Sequence, residues 1–404
     1  MFIADHPCRK SVWSAIIRVY YADVFCVSVC EFRHGEWCVA RCRCALTLDQ
    51  LWWNICCVAV SRLWPHHGDA TDQSCAFGRN LMQSWMKSFV VAACVFAGPV
   101  SANYAERPEV LAMADRLAEQ GVDRDRVLAV MGEAKRLDSV INAMNRPAER
   151  KQWKDYRQIF LQPARVAAAV EFHQAHQQTL ERAEAELGVP VEVILAIIGV
   201  ETYYGRNKGS FRALDALATL GLDYPRRAEF FLGELESLFL LGEAEGLDPT
   251  ALKGSYAGAM GYGQFIPSSY LAYSIDFDAD GRRDLLNNPV DAIGSVANYL
   301  AVHGWSLDYG IAAPVQAAQQ FVPEMESRIT VEHTGKALTD AGVTGIPASW
   351  QTRELDVLGL HGASGDEFWA VTQNFYVITR YNRSPLYAMA VTQLAGEIAE
   401  ELNL

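Results

Sequence analysis

The chain has 404 residues with 35 Lys and Arg against 48 Asp and Glu, a formal net charge of -13. That length suffices for two or three domains with a sizeable core, and so acidic a balance argues against nucleic acid or another polyanion as a general partner. All ten cysteines lie between Cys8 and Cys94, so nothing beyond Cys94 can form a disulfide.

The first stretch reads unlike the rest. Residues 1–81 mix irregularly spaced cysteines with Trp-rich apolar patches and carry no ordered pattern. A disulfide framework lacks regular spacing there. A zinc cluster from His34, Cys38, Cys42 and Cys44 lacks a second paired spacing. Residues 82–102 contain a basic start at Lys87, a short apolar core and Val-Ser-Ala before Asn103, the pattern of a secretory signal peptide. Translation is therefore expected to start at Met82 or Met86, with 1–81 a poorly ordered upstream extension and the product released to the periplasm. Val91-Ala92-Ala93-Cys94 offers the alternative of a lipid anchor at Cys94. Residues 103–404 hold 26 Lys and Arg against 41 Asp and Glu, so the acidity resides there.

From Arg107 to Leu187 apolar residues recur at helical spacing, as at Val110, Leu111, Met113, Ala114 and Leu117, which predicts a helical lobe over 103–188. Pro190 then opens the run Val191 to Val200, almost without a polar face, and Gly205 is where it is expected to stop. This is a buried helix with one carboxylate, Glu201, in its last turn. Burial disfavours a carboxylate anion, which is how an enzyme keeps a Glu protonated as a general acid. The alternative is a solvated Glu or one paired with Arg206.

Arg226-Arg227 could hold an anion or pair with Glu229 or Glu234, and Ala228 to Ala244 is an amphipathic helix closed by Gly246. In Lys253 to Ser269, the glycines Gly254, Gly258, Gly261 and Gly263 suit close approach to a ligand, with Ser255 and Gln264 as hydrogen-bonding groups. Asp276, Asp278 and Asp280, Gly281 at position six and the Arg282 backbone carbonyl at seven reproduce the start of a calcium loop, with Asn287 where the bidentate Glu normally stands. Asp291 to His303 predicts a helix. Between 306 and 367, Ser327–Glu332 and Trp350–Val357 alternate as strands do, predicting a small inserted sheet. The chain then returns to the core over 368–404, with a closing helix from Pro385 to Leu402.

The pairing of Ile197-Ile198-Gly199-Val200-Glu201-Thr202 with the segment Lys253 to Ser269 resembles the lytic murein transglycosylase B family, as do Leu214–Leu220, Tyr224–Glu229, Asp291–Tyr299 and Thr379–Asn382. The resemblance runs from about residue 105 to the C-terminus. It implies a mainly α (α+β) fold: a lysozyme-like catalytic core over 189–305, a helical lobe and the small inserted β subdomain. It also implies cleavage of the bond between N-acetylmuramic acid and N-acetylglucosamine to a 1,6-anhydromuramyl end, with Glu201 as the single acid/base. Tyr156, Ser255, Gln264, Tyr299, Tyr381, Asn382 and Tyr387 match substrate-groove positions. Asp291 matches the carboxylate closing a lengthened calcium loop. Calcium is the expected cofactor, with no organic one. The expected partners are peptidoglycan strands and cell-envelope proteins but not nucleic acid, and a monomer is expected. A lysozyme-type hydrolase using water, a non-catalytic murein-binding protein and a calcium-sensing module are the rival readings.

Overall fold

The computed structural model describes residues 103–146, 151–317 and 323–404, together with the two-residue antiparallel strands β1 (Phe32–Arg33) and β2 (Glu36–Trp37). The expected signal segment 82–102, Cys94 and every other cysteine lie outside the described residues. Among the described residues no helix is long and apolar enough to cross a membrane.

Helix α1 (Pro108–Glu119) starts with proline in its first turn and buries Val110, Met113, Ala114 and Leu117, the stripe its spacing requires. Then come α2 (Arg124–Gly132), capped by the Asp123 side chain, α3 (Asp138–Met144) and α4 (Trp153–Phe160). The long α5 (Pro163–Leu187) kinks at His176 and stops at Gly188 in the left-handed conformation.

The centre of the unit formed by residues 99–404 is α6 (Val191–Thr202). All its residues but Glu192 and Glu201 are buried, because a helix apolar on every side has no face to give to water. It packs against α5 and against two later helices, Pro289–Val302 and Pro385–Leu402. It ends at Thr202, earlier than the expected stop at Gly205, because Tyr203 and Tyr204 already turn left-handed (φ 53° and 58°).

Strand β3 (Phe211–Arg212) leads into α7 (Ala213–Asp223) and α8 (Ala228–Glu245), the latter ended by left-handed Gly246. Strand β4 (Lys253–Gly254) pairs antiparallel with β3 and opens the glycine-rich segment, which passes into α9 (Pro267–Tyr273) and on to α10 (Pro289–Val302). The inserted lobe comprises β5 (Ala312–Val315), β6 (His333–Thr334), α11 (Gly335–Asp340), β7 (Glu354–Gly362) and β8 (Gly365–Val371), its sheet ordered β5-β8-β7-β6. It has a small core of its own, including Val315, Leu338, Val343, Trp350 and Leu355.

One expectation about this lobe needs correction. Ser327–Glu332 is not a strand: Ile329 and Val331 are buried as the alternation predicts, but Val331 sits at φ 50°, which breaks extended pairing. Strand β8 runs on to Val371, and its Trp369 and Val371 pack on the main core. Helices α12 (Gln373–Tyr381) and α13 (Pro385–Leu402) close the fold, α13 lying along α6.

Candidate active site

Glu201 is half-buried in the last turn of α6, and three ties fix that turn. The Thr202 hydroxyl donates to the Tyr262 carbonyl at 2.9 Å and accepts the Gly205 N–H at 3.0 Å, joining the helix end to the glycine-rich segment. The Arg165 guanidinium donates to the Gly199 carbonyl. From α13, the Tyr387 hydroxyl donates to Glu201 Oε1 at 2.6 Å. Burial first, and then the neighbouring Glu201 charge, push the Tyr387 phenol well above its usual value, so it remains a donor. The alternative pairing of Glu201 with Arg206 is not found: Arg206 pairs with Glu171 at 2.8 Å.

Glu201 opens onto a groove of about 530 Å³, with Ser255 and Gln264 on one part of its wall and Tyr299, Tyr381 and Asn382 on another. Among the described residues Glu201 is the one carboxylate lining it. Gly263 is required beneath this wall, since a Cβ there would fall 2.8 Å from the Tyr381 hydroxyl.

Ser255 Oγ accepts the N–H groups of Ala257 (3.3 Å) and Ala259 (3.2 Å), and its own proton has no acceptor among the described residues. The Gln264 amide nitrogen donates to the carbonyls of Lys208 (3.2 Å) and Gly261 (3.0 Å), which leaves its oxygen to offer. Gln264 itself stands at φ 49°, a conformation few side-chain-bearing residues adopt.

The aromatic wall is a cluster in which Phe265 lies 5.6 Å from Tyr299 and 5.7 Å from Tyr381 between ring centroids. The Tyr381 hydroxyl donates to the Gly263 carbonyl at 2.5 Å and that of Tyr299 to the Arg380 carbonyl at 2.7 Å. Burial pushes the Tyr299 phenol up to about 12. These tyrosines therefore present rings rather than hydroxyl protons. Asn382 sits at the corner between α12 and α13, its Oδ1 accepting the Ser384 N–H at 3.2 Å.

Tyr156 and Tyr387 do not line this groove, unlike the five other expected groove residues. Tyr156 is buried beside Phe160, at 5.2 Å between centroids, and Tyr387 lies beneath Glu201. Arg227, for which the sequence left open an anion or a pairing with Glu229 or Glu234, lies over the Phe230 ring at 4.1 Å, lines the groove and makes no ion pair with either glutamate among the described residues. Sequence reasoning missed two further wall residues, Arg380 and Arg383. An arginine at a helix end carries no sequence signal that separates a groove wall from a solvated surface.

In the acidic loop, carboxylate oxygens of Asp276, Asp278 and Asp291 lie within 4.8 Å of one another. Asp291 is fully buried and accepts the N–H groups of Phe277 and Asp284, each at 2.8 Å, while burial raises its carboxyl above the usual range. Asp280 stands outside the trio with Oδ1 on the Arg282 N–H at 2.9 Å, and exposed Arg282 is held by that bond. The Asn287 side-chain amide donates to Asp284 at 3.3 Å. Three carboxylates that close together, on a turn made by left-handed Gly281, fit the opposed oxygen ligands of a calcium ion.

The Transglycosylase SLT domain model matches residues 105–396. The chain is 42% identical over 308 residues to the membrane-bound lytic murein transglycosylase B of Escherichia coli (strain K12), covering 74% of this chain and 84% of that protein. Soluble lytic transglycosylase SltB1 from Pseudomonas aeruginosa superposes with a TM-score of 0.68 at 43% identity, over 74% of this chain and 100% of that one. Escherichia coli lytic transglycosylase Slt35, solved in complex with calcium, gives a TM-score of 0.69 at 41% identity, over 76% and 99%. With a mostly helical, lysozyme-like fold and this groove, the chain belongs to the transglycosylase SLT domain family and is a peptidoglycan lytic transglycosylase.

Proposed function

We propose that Glu201 carries both proton transfers of this cleavage. As an acid it protonates the oxygen bridging N-acetylmuramic acid and N-acetylglucosamine while the anomeric C–O bond breaks. As the resulting carboxylate it takes the proton of the muramyl 6-hydroxyl, whose oxygen closes on the anomeric carbon. The product is a 1,6-anhydromuramyl end, and no water is consumed. The observation that carries this reading is that Glu201 alone, among the described residues, brings a carboxylate to the groove.

Ser255 and Gln264 suit the acetamido group: the free Ser255 proton can donate to its carbonyl, and the Gln264 oxygen can accept its N–H. Rings of Tyr299 and Tyr381 offer faces to pyranose rings. Tyr156 and Tyr387 act from behind the wall, Tyr387 as a positioning residue for Glu201. Asp276, Asp278 and Asp291 would hold a calcium ion that pins the loop against α10, as support rather than as a participant in the chemistry.

We place the working unit in residues 103–404, acting on periplasmic murein strands. The word membrane-bound in the Escherichia coli relative's name makes acylation at Cys94 the competing arrangement. The mass of the mature N-terminus separates the two.

The test of the catalytic reading is digestion of murein sacculi by the wild type and by Glu201→Gln, with muropeptides identified by mass spectrometry. Anhydro products that disappear in the variant, a loss of about 10³-fold or more, are expected. Hydrated reducing ends would make the protein a hydrolase. Undiminished release by the variant would remove Glu201 from the chemistry.

A further inference from the structure

Beside the catalytic groove lies a second cavity of about 350 Å³, lined by Arg328, Thr330, Glu332, Tyr376, Arg380 and Arg383 among others. Arg380 and Arg383 line both, so the two are one continuous surface. Its charge is unlike that of the molecule around it. In a chain of net charge -13, three arginines converge here against the one carboxylate of Glu332. None of the three guanidinium groups makes an ion pair or a hydrogen bond among the described residues. Unpaired arginine forks on exposed side chains are preformed donors for carboxylates.

The segment carrying Arg328 is held in place, as a binding wall must be. Ile329 and Val331, 5% and 6% exposed, anchor it in the main core on either side of Thr330. The Thr330 N–H donates to Asp356 Oδ2 of β7 at 2.8 Å. Val331 keeps a left-handed φ of 50°, costly for a β-branched side chain. The alternation that fails to make a strand instead sends Arg328, Thr330 and Glu332 outward, toward α12.

We propose that this cavity is a subsite for the carboxylates of the peptide borne by the muramyl unit, Arg328 and Arg383 giving its ionic contacts and Arg380 joining it to the sugar groove. The inference rests on the catalytic reading above. Sugar hydroxyls and acetamido groups are neutral and do not call for three unpaired cations. The carboxylates of murein lie on its peptides and lactyl groups, and a cavity set beside the sugar groove fits the peptide. A local cationic patch would also draw an anionic polymer to an otherwise repelling acidic protein.

The experiment compares two substrates with the full chain: murein glycan strands with free peptide carboxylates, and the same strands with those carboxylates converted to primary amides. The wild type is expected to favour the acid form in kcat/KM by roughly fivefold, as for a few exposed charge pairs. Arg328→Glu, at an exposed position outside the catalytic groove, should abolish or invert that preference, and Arg328→Lys should keep part of it. Equal ratios in wild type and Arg328→Glu would overturn the subsite while leaving the catalytic reading intact. Failure of the wild type to cleave either substrate would instead overturn the catalytic reading, and the subsite with it.

Discussion

Replacing Tyr387 by Phe removes one hydroxyl from behind the acid and nothing from the groove wall. The lost contact is the 2.6 Å bond to Glu201 Oε1. A buried hydrogen bond to a group that carries charge in part of the cycle is worth about 1.5–3 kcal/mol. At 1.36 kcal/mol per decade, that corresponds to a fall of roughly 10- to 100-fold in kcat. KM should move little, because Tyr387 is 3% exposed and does not line the groove. The Phe ring keeps the parallel packing on Tyr381, at 6.4 Å between centroids, so the melting temperature should fall by only a few degrees. The assay is initial-rate release of anhydromuropeptides from soluble glycan strands, with melting followed by circular dichroism. A folded variant with kcat within twofold of wild type would refute the positioning role, and a large rise in KM alone would place Tyr387 on the substrate instead.

Calcium removal addresses the loop. If Asp276, Asp278 and Asp291 bind the ion, saturating calcium should raise the melting temperature of the chelated protein by about 5 °C; Asp291→Asn should erase that shift, and an equal shift in wild type and variant would count against the trio. At Gly209, with φ 90° and a Cβ that would fall 2.1 Å from the Gly254 carbonyl carbon, Ala must both strain its own backbone and push β4 away. About 3 kcal/mol of stability should be lost, read as a lower urea midpoint, and an unchanged midpoint would show that the β3–β4 junction yields freely.

What could be read from the sequence was local. The run Val191–Val200 identifies a buried helix because nothing in it can face water, and Glu201 stands out because it is the first charge after eight residues without one. The acidic loop is legible because position fixes role within one short turn. Contacts across the chain are not. Tyr387 lies 186 residues from Glu201, and its interior place beneath the acid depends on how α13 lies along α6. Tyr299 and Tyr381 read like Tyr156 in sequence, yet two face the groove and one is buried behind it. Val331 shows the same limit within the backbone, since its residue type favours a strand that its φ forbids.

The arrangement of the groove bears on why one carboxylate can be enough. An enzyme that activates water holds a second carboxylate across the sugar ring, about 6.5–9.5 Å from the acid when configuration inverts. Glu234, a buried carboxylate in the same core, cannot serve, because both its oxygens are taken by the Ser268 N–H and hydroxyl at 3.0 and 2.7 Å, and it does not line the groove. The hydroxyl protons of Tyr299 and Tyr381 are committed to backbone carbonyls. Among the described residues the wall therefore offers no second carboxylate to hold and deprotonate a water. A nucleophile already tethered to the anomeric centre needs no such group: an oriented intramolecular hydroxyl reacts as though present at about 10⁵ M or more. On the proposed reading, with the acetamido group gripped by Ser255 and Gln264 and the ring held against tyrosine faces, the muramyl 6-hydroxyl would have that advantage, and the proton acceptor it requires would be the glutamate that has just given its own proton away.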